Sequence, residues 1–511
     1  MDDIAASVRS REGIHHSSWL LFVLFYAIGA NIPFWAASHW LGLLPLGWLC
    51  IEYAGVGLLA LFIPRILSAI LLLIVIAADI LSDVCKTYYL SPTDCLSNLV
   101  SLRDFSGARV LAIAAVLAAT LLSVAFAALF PTKKIRGAQR AYAAISLLAF
   151  IFVAVSADYI EIAHETGHRP SLLRIARPSD TNKFSDYRNL WIGRYPALRL
   201  VLSQRYFGHP IGTSMSSHFD TSSVASAAAA AVPFLRPTSD RPGQPEYNLV
   251  LVLLESWGLS TDASLRSALV EPYLQPELLA QYQILQGTAP FYGGTIAGEA
   301  RELCNSRFGF HIIDASSQEL QNCLPDRLNA LGFHSMAVHG MDGRMFSRST
   351  WYPRIGFQEM WFRDKFTQLG LQSCIGAFKG TCDADLAGWI GRRLQQNDTN
   401  PDFVYWVTLN SHLPVPVPSG LPDGAPCSAV PILSQQPPLC SWYQLVANVH
   451  RSVARLAMTK LARPTIFVVV GDHAPPFANT TLRSQFSGTD VPYIVLVPRL
   501  NGHAANPGSA R

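Results

Sequence analysis

The chain has 511 residues, half of them apolar and only 14% charged, with a mean hydropathy of +0.25. Soluble domains carry about a quarter charged residues, so this composition excludes both disorder and a wholly soluble life. The net charge of +4 is small for the length and no long Lys/Arg run occurs, so nothing marks a nucleic-acid binder.

The apolar excess lies in the first third. Segments 19–37, 110–131 and 141–157 contain no charged residue, and each approaches the roughly 20 apolar residues that cross a bilayer core. Segments 40–63, interrupted by Glu52, and 66–84, carrying Asp79 and Asp83, complete an expected set of five spans. The first span is too long, and too closely followed by others, for a cleaved secretory signal. Asp79 and Asp83 fall near the outer end of the third span, where hydration is the plain expectation and a headgroup contact the functional one.

Lys and Arg near span ends are retained on the cytoplasmic side. With the amino terminus inside, Arg9, Arg11, Arg65, Lys133, Lys134, Arg136 and Arg140 fall inside, and Lys86, Arg103 and Arg109 fall outside. An odd number of spans then delivers everything after Asp158 to the outer face. Cysteine usage agrees. Of nine cysteines, Cys50 lies within a span, Cys85 and Cys95 share an outer loop, and six lie beyond residue 300. Pairing neighbours (85 with 95, 304 with 323, 374 with 382, 427 with 440) closes the shortest loops, although free buried thiols fit the same spacing.

Three regions follow from this reading: 1–157 as the membrane domain, 158–247 as connector and linker, and 248–511 as an outer domain. Residues 158–212 mix Trp191, Tyr195 and leucines with Arg188, Arg194, Arg199 and Arg205, as amphipathic segments on a lipid surface do, and as solvated helices also do. The Ser/Ala/Pro/Gly-rich stretch 212–247, including Ala227 to Ala231, reads as a linker.

Beyond it, NLVLVLL (248–254), FVYWVTL (403–409), TIFVVV (465–470) and YIVLV (493–497) are continuous apolar runs, as expected of strands buried on both faces. Helical patterns at 384–395 and 442–461 alternate with them, which predicts an α/β domain with a mainly parallel central sheet. Three of these runs end in chemistry: Glu255-Ser256-Trp257-Gly258, Asn410-Ser411-His412, and Gly471-Asp472-His473. Ligands bind beyond the carboxyl ends of strands in open α/β sheets. A carboxylate and an imidazole side by side can reach one cation, whereas Glu255 alone reads equally well as a helix cap. Gly293-Gly294-Thr295 places a hydroxyl at the start of a helical stretch, where the glycines admit an anion to the backbone and the helix favours it. Thr295 is either the cap of that helix or a nucleophile, and a threonine hydroxyl needs a metal or base to lower its pKa.

At these residues the chain resembles the sulfatase-like phosphotransferases of bacterial envelopes, in the alkaline phosphatase superfamily: lipoteichoic acid synthases and the phosphoethanolamine and phosphoglycerol transferases. The likeness rests on NLVLVLLESWG, GGTIAGEAREL and VVVGDHAPPF, in that order, behind five spans. It implies that Glu255, Thr295, Asp472 and His473 hold one divalent ion, zinc or manganese. It also implies that Arg348, in the segment from His339-Gly340-Met341-Asp342 to Phe346-Ser347-Arg348, holds the substrate phosphate, and that His412 meets the transferred headgroup or leaving group. His339 reads as substrate-binding or as a buried structural residue, and Arg301 as facing an anion or, more plainly, as a solvated helix position. The implied reaction moves a phosphoethanolamine or phosphoglycerol headgroup from a phospholipid, through a phosphothreonine, to an envelope glycan or lipid. The implied location is the bacterial inner membrane, with the catalytic domain on the periplasmic side. The alternatives are an extracytoplasmic phosphodiesterase or sulfatase-type hydrolase and a noncatalytic partner module. Ala474-Pro475-Pro476 replaces the glycine that often follows the Asp-His pair, and the Cys/Ser-x-Pro-x-Arg segment that sulfatases convert to formylglycine is missing.

Overall fold

A computed structural model describes residues 18–43, 48–90, 95, 105, 107–132, 135–163, 173–174, 226–235 and 247–499, the last with short gaps at 308, 375, 397–399 and 422–423. The amphipathic connector, with Trp191, Tyr195 and its arginines, lies outside these residues. The chain divides into a unit of apolar helices and a second unit, termed the outer unit because the loop charges lead one to expect it on the outer face; this second unit includes residues 97–106.

In the first unit, four helices among the described residues are long and apolar enough to cross a bilayer: α1 (Ser18–Leu41), α3 (Arg65–Tyr88), α4 (Gly107–Leu129) and α5 (Ala138–Ala163). The expected second span is instead a short helix, α2 (Ile51–Ala60). At 1.5 Å per residue its 10 residues rise about 15 Å, half of a hydrocarbon core of about 30 Å. The reason is where α1 ends. It runs on to Leu41 and closes at Gly42 in the left-handed conformation, taking the first residues assigned to span two.

Asp79 and Asp83 are fully buried on α3, contrary to the hydration expected of them. The Tyr53 hydroxyl on α2 donates to Asp79 Oδ2 at 2.6 Å. An acidic side chain inside a bundle is tolerated when another helix answers it.

The outer unit is built on a seven-stranded sheet: β1 (Asn248–Leu254), β2 (Tyr282–Pro290), β3 (His334–His339), β4 (Glu359–Trp361), β5 (Asp402–Val407), β6 (Thr465–Gly471) and β7 (Asp490–Pro498). Their order is β2-β7-β6-β1-β5-β3-β4. β6, β1, β5, β3 and β4 are mutually parallel, whereas β7 runs antiparallel to both β6 and β2. Every residue of β1, β5 and β6 is buried, as their unbroken apolar runs require. Helices α6 (Thr295–Cys304), α7 (Asp383–Gln396) and α8 (Pro437–Met458) belong to the same unit.

Part of the expected linker is a structural piece of this unit. Ala227–Ala231 forms a short helix with Ala227, Ala228 and Ala231 buried, capped by Ser226 Oγ, which accepts from Ala229 N. Alanine's high helix propensity and small side chain suit it to packing against the sheet. Disulfides join Cys304 to Cys323, Cys374 to Cys382 and Cys427 to Cys440. Cys85 and Cys95, expected to pair, form no disulfide; their sulfurs lie 3.3 Å apart, within hydrogen-bond distance.

Candidate active site

The carboxyl ends of β1 and β6 are adjacent and in register, Leu254 opposite Gly471. The residues that follow them, Glu255 on one side and Asp472 and His473 on the other, therefore emerge together. All three are buried, and their ligand-competent atoms lie within 4.8 Å of one another. His473 Nε2 stands 3.3 Å from Asp472 Oδ2 and 3.6 Å from Glu255 Oε1.

Backbone contacts hold each of these side chains. Ser256 takes a left-handed φ of 59°, and its N–H donates to Asp472 Oδ1 at 2.7 Å, as does the N–H of His473. A non-glycine residue at such a φ is held there by its surroundings. Ser256 Oγ donates to Glu255 Oε1, and Ser411 Oγ donates to the Glu255 carbonyl. The third strand end thus braces the first.

Helix α6 starts at Thr295, whose Oγ1 donates to Glu255 Oε2 at 3.1 Å. It approaches Asp472 very closely. A Cβ placed at Gly298 would meet the Cα and Cβ of Asp472 at 3.1 Å, so glycine is the residue that permits the contact. Arg301, expected on a solvated face, is completely buried. Its guanidinium donates to the carbonyls of Pro290, Gly471 and Asp472 and pairs with Glu302 at 2.6 Å. Glu302 in turn accepts from Ala228 N at the start of the 227–231 helix. A fixed positive fork is well suited to exposed carbonyls at a strand end.

The electrostatics indicate what this cluster can hold. His473 Nδ1 lies 2.9 Å from the Ala474 carbonyl, which can only accept, so Nδ1 carries a proton and Nε2 is the ring nitrogen that faces the carboxylates. Asp472 Oδ2 is buried and takes no hydrogen bond. Burial, and then the neighbouring Asp472, push the Glu255 carboxyl well above its ordinary range. Convergent acceptor atoms with an orphaned buried oxygen are a poor arrangement by themselves and a good one around a cation. The donor set of two carboxylates, an imidazole and a hydroxyl fits a divalent ion.

The remaining candidates lie around this centre as follows. Arg348 is buried, and two of its nitrogens donate to Glu299 Oε1, at 2.9 and 2.5 Å, while Nη1 has no partner. Burial opposes its charge, but Glu299, Tyr352 and Tyr405 together outweigh that and hold the guanidinium pKa above its ordinary value. The chain enters Arg348 through Phe346 and Ser347, both at positive φ, with the guanidinium over the Phe346 ring at 4.9 Å. His339 ends β3 with Nδ1 on the Val407 carbonyl and Nε2 buried without a partner. Burial, and then Arg348, depress its pKa well below the usual imidazole value. His412 follows β5, half-buried, with its ring edge-on to Phe378.

Two residues that the sequence left unremarked stand out. Glu299, one turn after Thr295, accepts from Arg348 and from the Tyr352 hydroxyl. Its i, i+4 spacing from Thr295 was the available signal. Asp383 accepts the backbone N–H groups of Leu409 and Asn410, which lead to His412, and the sequence held no signal for that long-range clamp.

The model of the Sulfatase family matches residues 247–509. The chain belongs to the sulfatase family. This places an enzyme fold behind helices long and apolar enough to cross a membrane; the family generally uses a metal, and Glu255, Asp472 and His473 form a group that could hold one. Similar solved structures include the lipoteichoic acid synthase LtaP of Listeria monocytogenes, at 13% identity over 54% of this chain and 72% of that one, with a TM-score of 0.35. The Streptococcus pyogenes phosphoglycerol transferase GacH, in complex with sn-glycerol-1-phosphate, is 15% identical over 55% and 76%, with a TM-score of 0.36. The periplasmic domain of EptC from Escherichia coli is 14% identical over 50% and 73%, with a TM-score of 0.30. No curated protein matches significantly.

Proposed function

We propose that this protein is a metal-dependent phosphotransferase, which moves a phosphoethanolamine or phosphoglycerol headgroup from a phospholipid to a glycan or lipid of the cell envelope. The observation that carries the reading is the gathering of Thr295 with Glu255, Asp472 and His473, the hydroxyl 3.1 Å from a buried carboxylate oxygen. Glu255, Asp472, His473 and Thr295 would hold one zinc or manganese ion, which supplies positive charge to the transferring phosphoryl group and favours the ionised hydroxyl.

The chain's own residues divide the remaining work. Thr295 Oγ1 attacks phosphorus, the glycerol oxygen of diacylglycerol leaves, and a phosphothreonine carrying the headgroup remains. An acceptor hydroxyl then attacks the same phosphorus and the threonine oxygen leaves. His412 gives a proton to the departing oxygen in the first step and takes one from the acceptor in the second. Arg348, with His339 beside it, binds the phosphoryl oxygens. An inner-membrane protein with its outer unit in the periplasm suits this reading, because the donor stays in the bilayer. The three disulfides of that unit support an oxidising compartment.

Full-length protein incubated with defined phospholipids and examined by mass spectrometry tests the proposal. The expected result is a phosphoethanolamine or phosphoglycerol adduct on Thr295 that disappears in Thr295→Ala. Headgroup release at the same rate with and without acceptor lipid or glycan would instead identify a hydrolase.

A further inference from the structure

The aromatic wall beside His412 is held from a distant part of the chain. Phe378 presents its ring edge-on to the His412 imidazole, with centroids 4.7 Å apart. It lies in a small hairpin, Ser373–Cys374 against Gly380–Thr381, only two residues per strand and stapled by the Cys374–Cys382 disulfide. A two-residue ladder is too short to fix a ring by itself. The missing support is Phe105, two residues before α4 begins at Gly107. Phe105 forms an isolated antiparallel bridge with Phe378, and the two rings stand 5.2 Å apart.

The contact belongs to a larger cluster. Met341, Ala377, Phe378 and Leu409 are buried together, with Phe105 and Met345 packed against them. Leu409 connects that cluster to the histidine a second time, because its carbonyl accepts from His412 N at 3.1 Å. A Cβ at Gly380 would come within 2.1 Å of the Leu409 side chain, so the hairpin and the His412 turn are pressed together. Phe105 therefore touches both the wall of the imidazole and the packing that holds its backbone.

We propose that Phe105 is a positioning residue for His412, so that a residue encoded between two membrane helices completes the outer unit's site. The assignment rests on the acid/base role given to His412. Displacing a proton-transfer group by a fraction of an ångström is enough to cost an order of magnitude in rate without weakening donor binding.

The test uses the full chain in phospholipid nanodiscs, comparing Phe105→Ala, Phe105→Tyr and His412→Gln. Phe105→Ala is expected to lower kcat about tenfold, with KM for phospholipid within about twofold of the parent. It is also expected to shift the limb of the pH–rate profile that His412→Gln abolishes, while Phe105→Tyr, which keeps the ring, restores both. A benzoylphenylalanine at position 105 should photo-crosslink to the peptide containing Phe378, a reading independent of turnover. A fully active His412→Gln sinks the functional reading and this inference with it. An inactive His412→Gln beside a Phe105→Ala with parental kcat and pH profile, or a crosslink to a peptide containing none of Met341, Met345, Phe378 and Leu409, sinks the inference alone.

Discussion

Asp383 offers a direct test of how burial and hydrogen bonding compete in this outer unit. It opens α7 and is almost fully buried. Its carboxylate accepts Leu409 N–H at 3.1 Å and Asn410 N–H at 2.8 Å, while Asn410 Oδ1 accepts the Asp383 N–H at 2.7 Å. The N–H groups favour the anion, but burial is the larger effect and raises the carboxyl from 3.8 to about 7. Between those values the folded chain keeps a proton that the unfolded chain has released, so this group's contribution to stability is greatest below about pH 4 and falls as pH rises to about 7. Each pKa unit is worth about 1.4 kcal/mol, and a rise of about three units gives about 4 kcal/mol lost across that window, with no further change above it. Asp383→Asn, which resembles the protonated acid, should remove this slope. Urea unfolding of the full chain in nanodiscs can be followed through the buried Trp257, Trp351, Trp406 and Trp442, from pH 4.5 to 8. The stability difference between parent and variant should change by several kcal/mol over that range in favour of the variant at high pH. If it stays flat to within about 1 kcal/mol, the backbone N–H groups keep Asp383 ionised and the reasoning is wrong.

Other outcomes follow from the same geometry. Glu299→Ala leaves Arg348 buried and unpaired and should cost about 3–5 kcal/mol in thermal or urea unfolding, whereas Glu299→Ala combined with Arg348→Met should recover much of it. Gly298→Ala forces α6 away from Asp472, and isothermal titration should show manganese or zinc binding weakened by about tenfold or more, with secondary structure by circular dichroism unchanged. Chelation should lower the unfolding temperature of the outer unit, and metal at a hundredfold excess over its Kd should return about 2.7 kcal/mol, an effect absent in Asp472→Asn.

What was legible in the sequence, and what was not, separates along physical lines. β1, β5, β6 and β7 announced themselves because strands covered on both faces need unbroken apolar runs. β2, with its partly exposed YQILQGTAP, β3, whose HSMAVH is broken by histidine and serine, and the three-residue β4 lack that pattern and were missed. The metal-competent residues were legible because each stands immediately after such a run, and register alone brings Glu255 and Asp472 together. The second span is a shorter helix than its apolar segment for a different reason. Hydropathy reports where a chain can enter lipid, but the left-handed Gly42 decides where α1 stops, and a window of apolar residues carries no information about that turn.

Arg301 shows a deeper limit. Helix α6, TIAGEARELC, has the polarity of a surface helix, yet from Thr295 to Leu303 every residue is buried. A charge can be buried when its partners lie at the right height, and those partners come from Gly471, Asp472, Arg348, Tyr352 and Ala228, remote in sequence. No periodicity argument can anticipate them. Their effect is mechanical as well as electrostatic. Thr295 is tied to Glu255, Glu299 to the arginine and tyrosine, Arg301 to the end of β6, and Glu302 to the 227–231 helix. A helix tethered on so many sides can neither slide nor rotate, so the hydroxyl at its start keeps one position relative to the carboxylates. The nucleophile proposed at Thr295 would have to be held to a few tenths of an ångström by rigid elements and a satisfied supporting shell, and the charges that look misplaced in the sequence form such a shell.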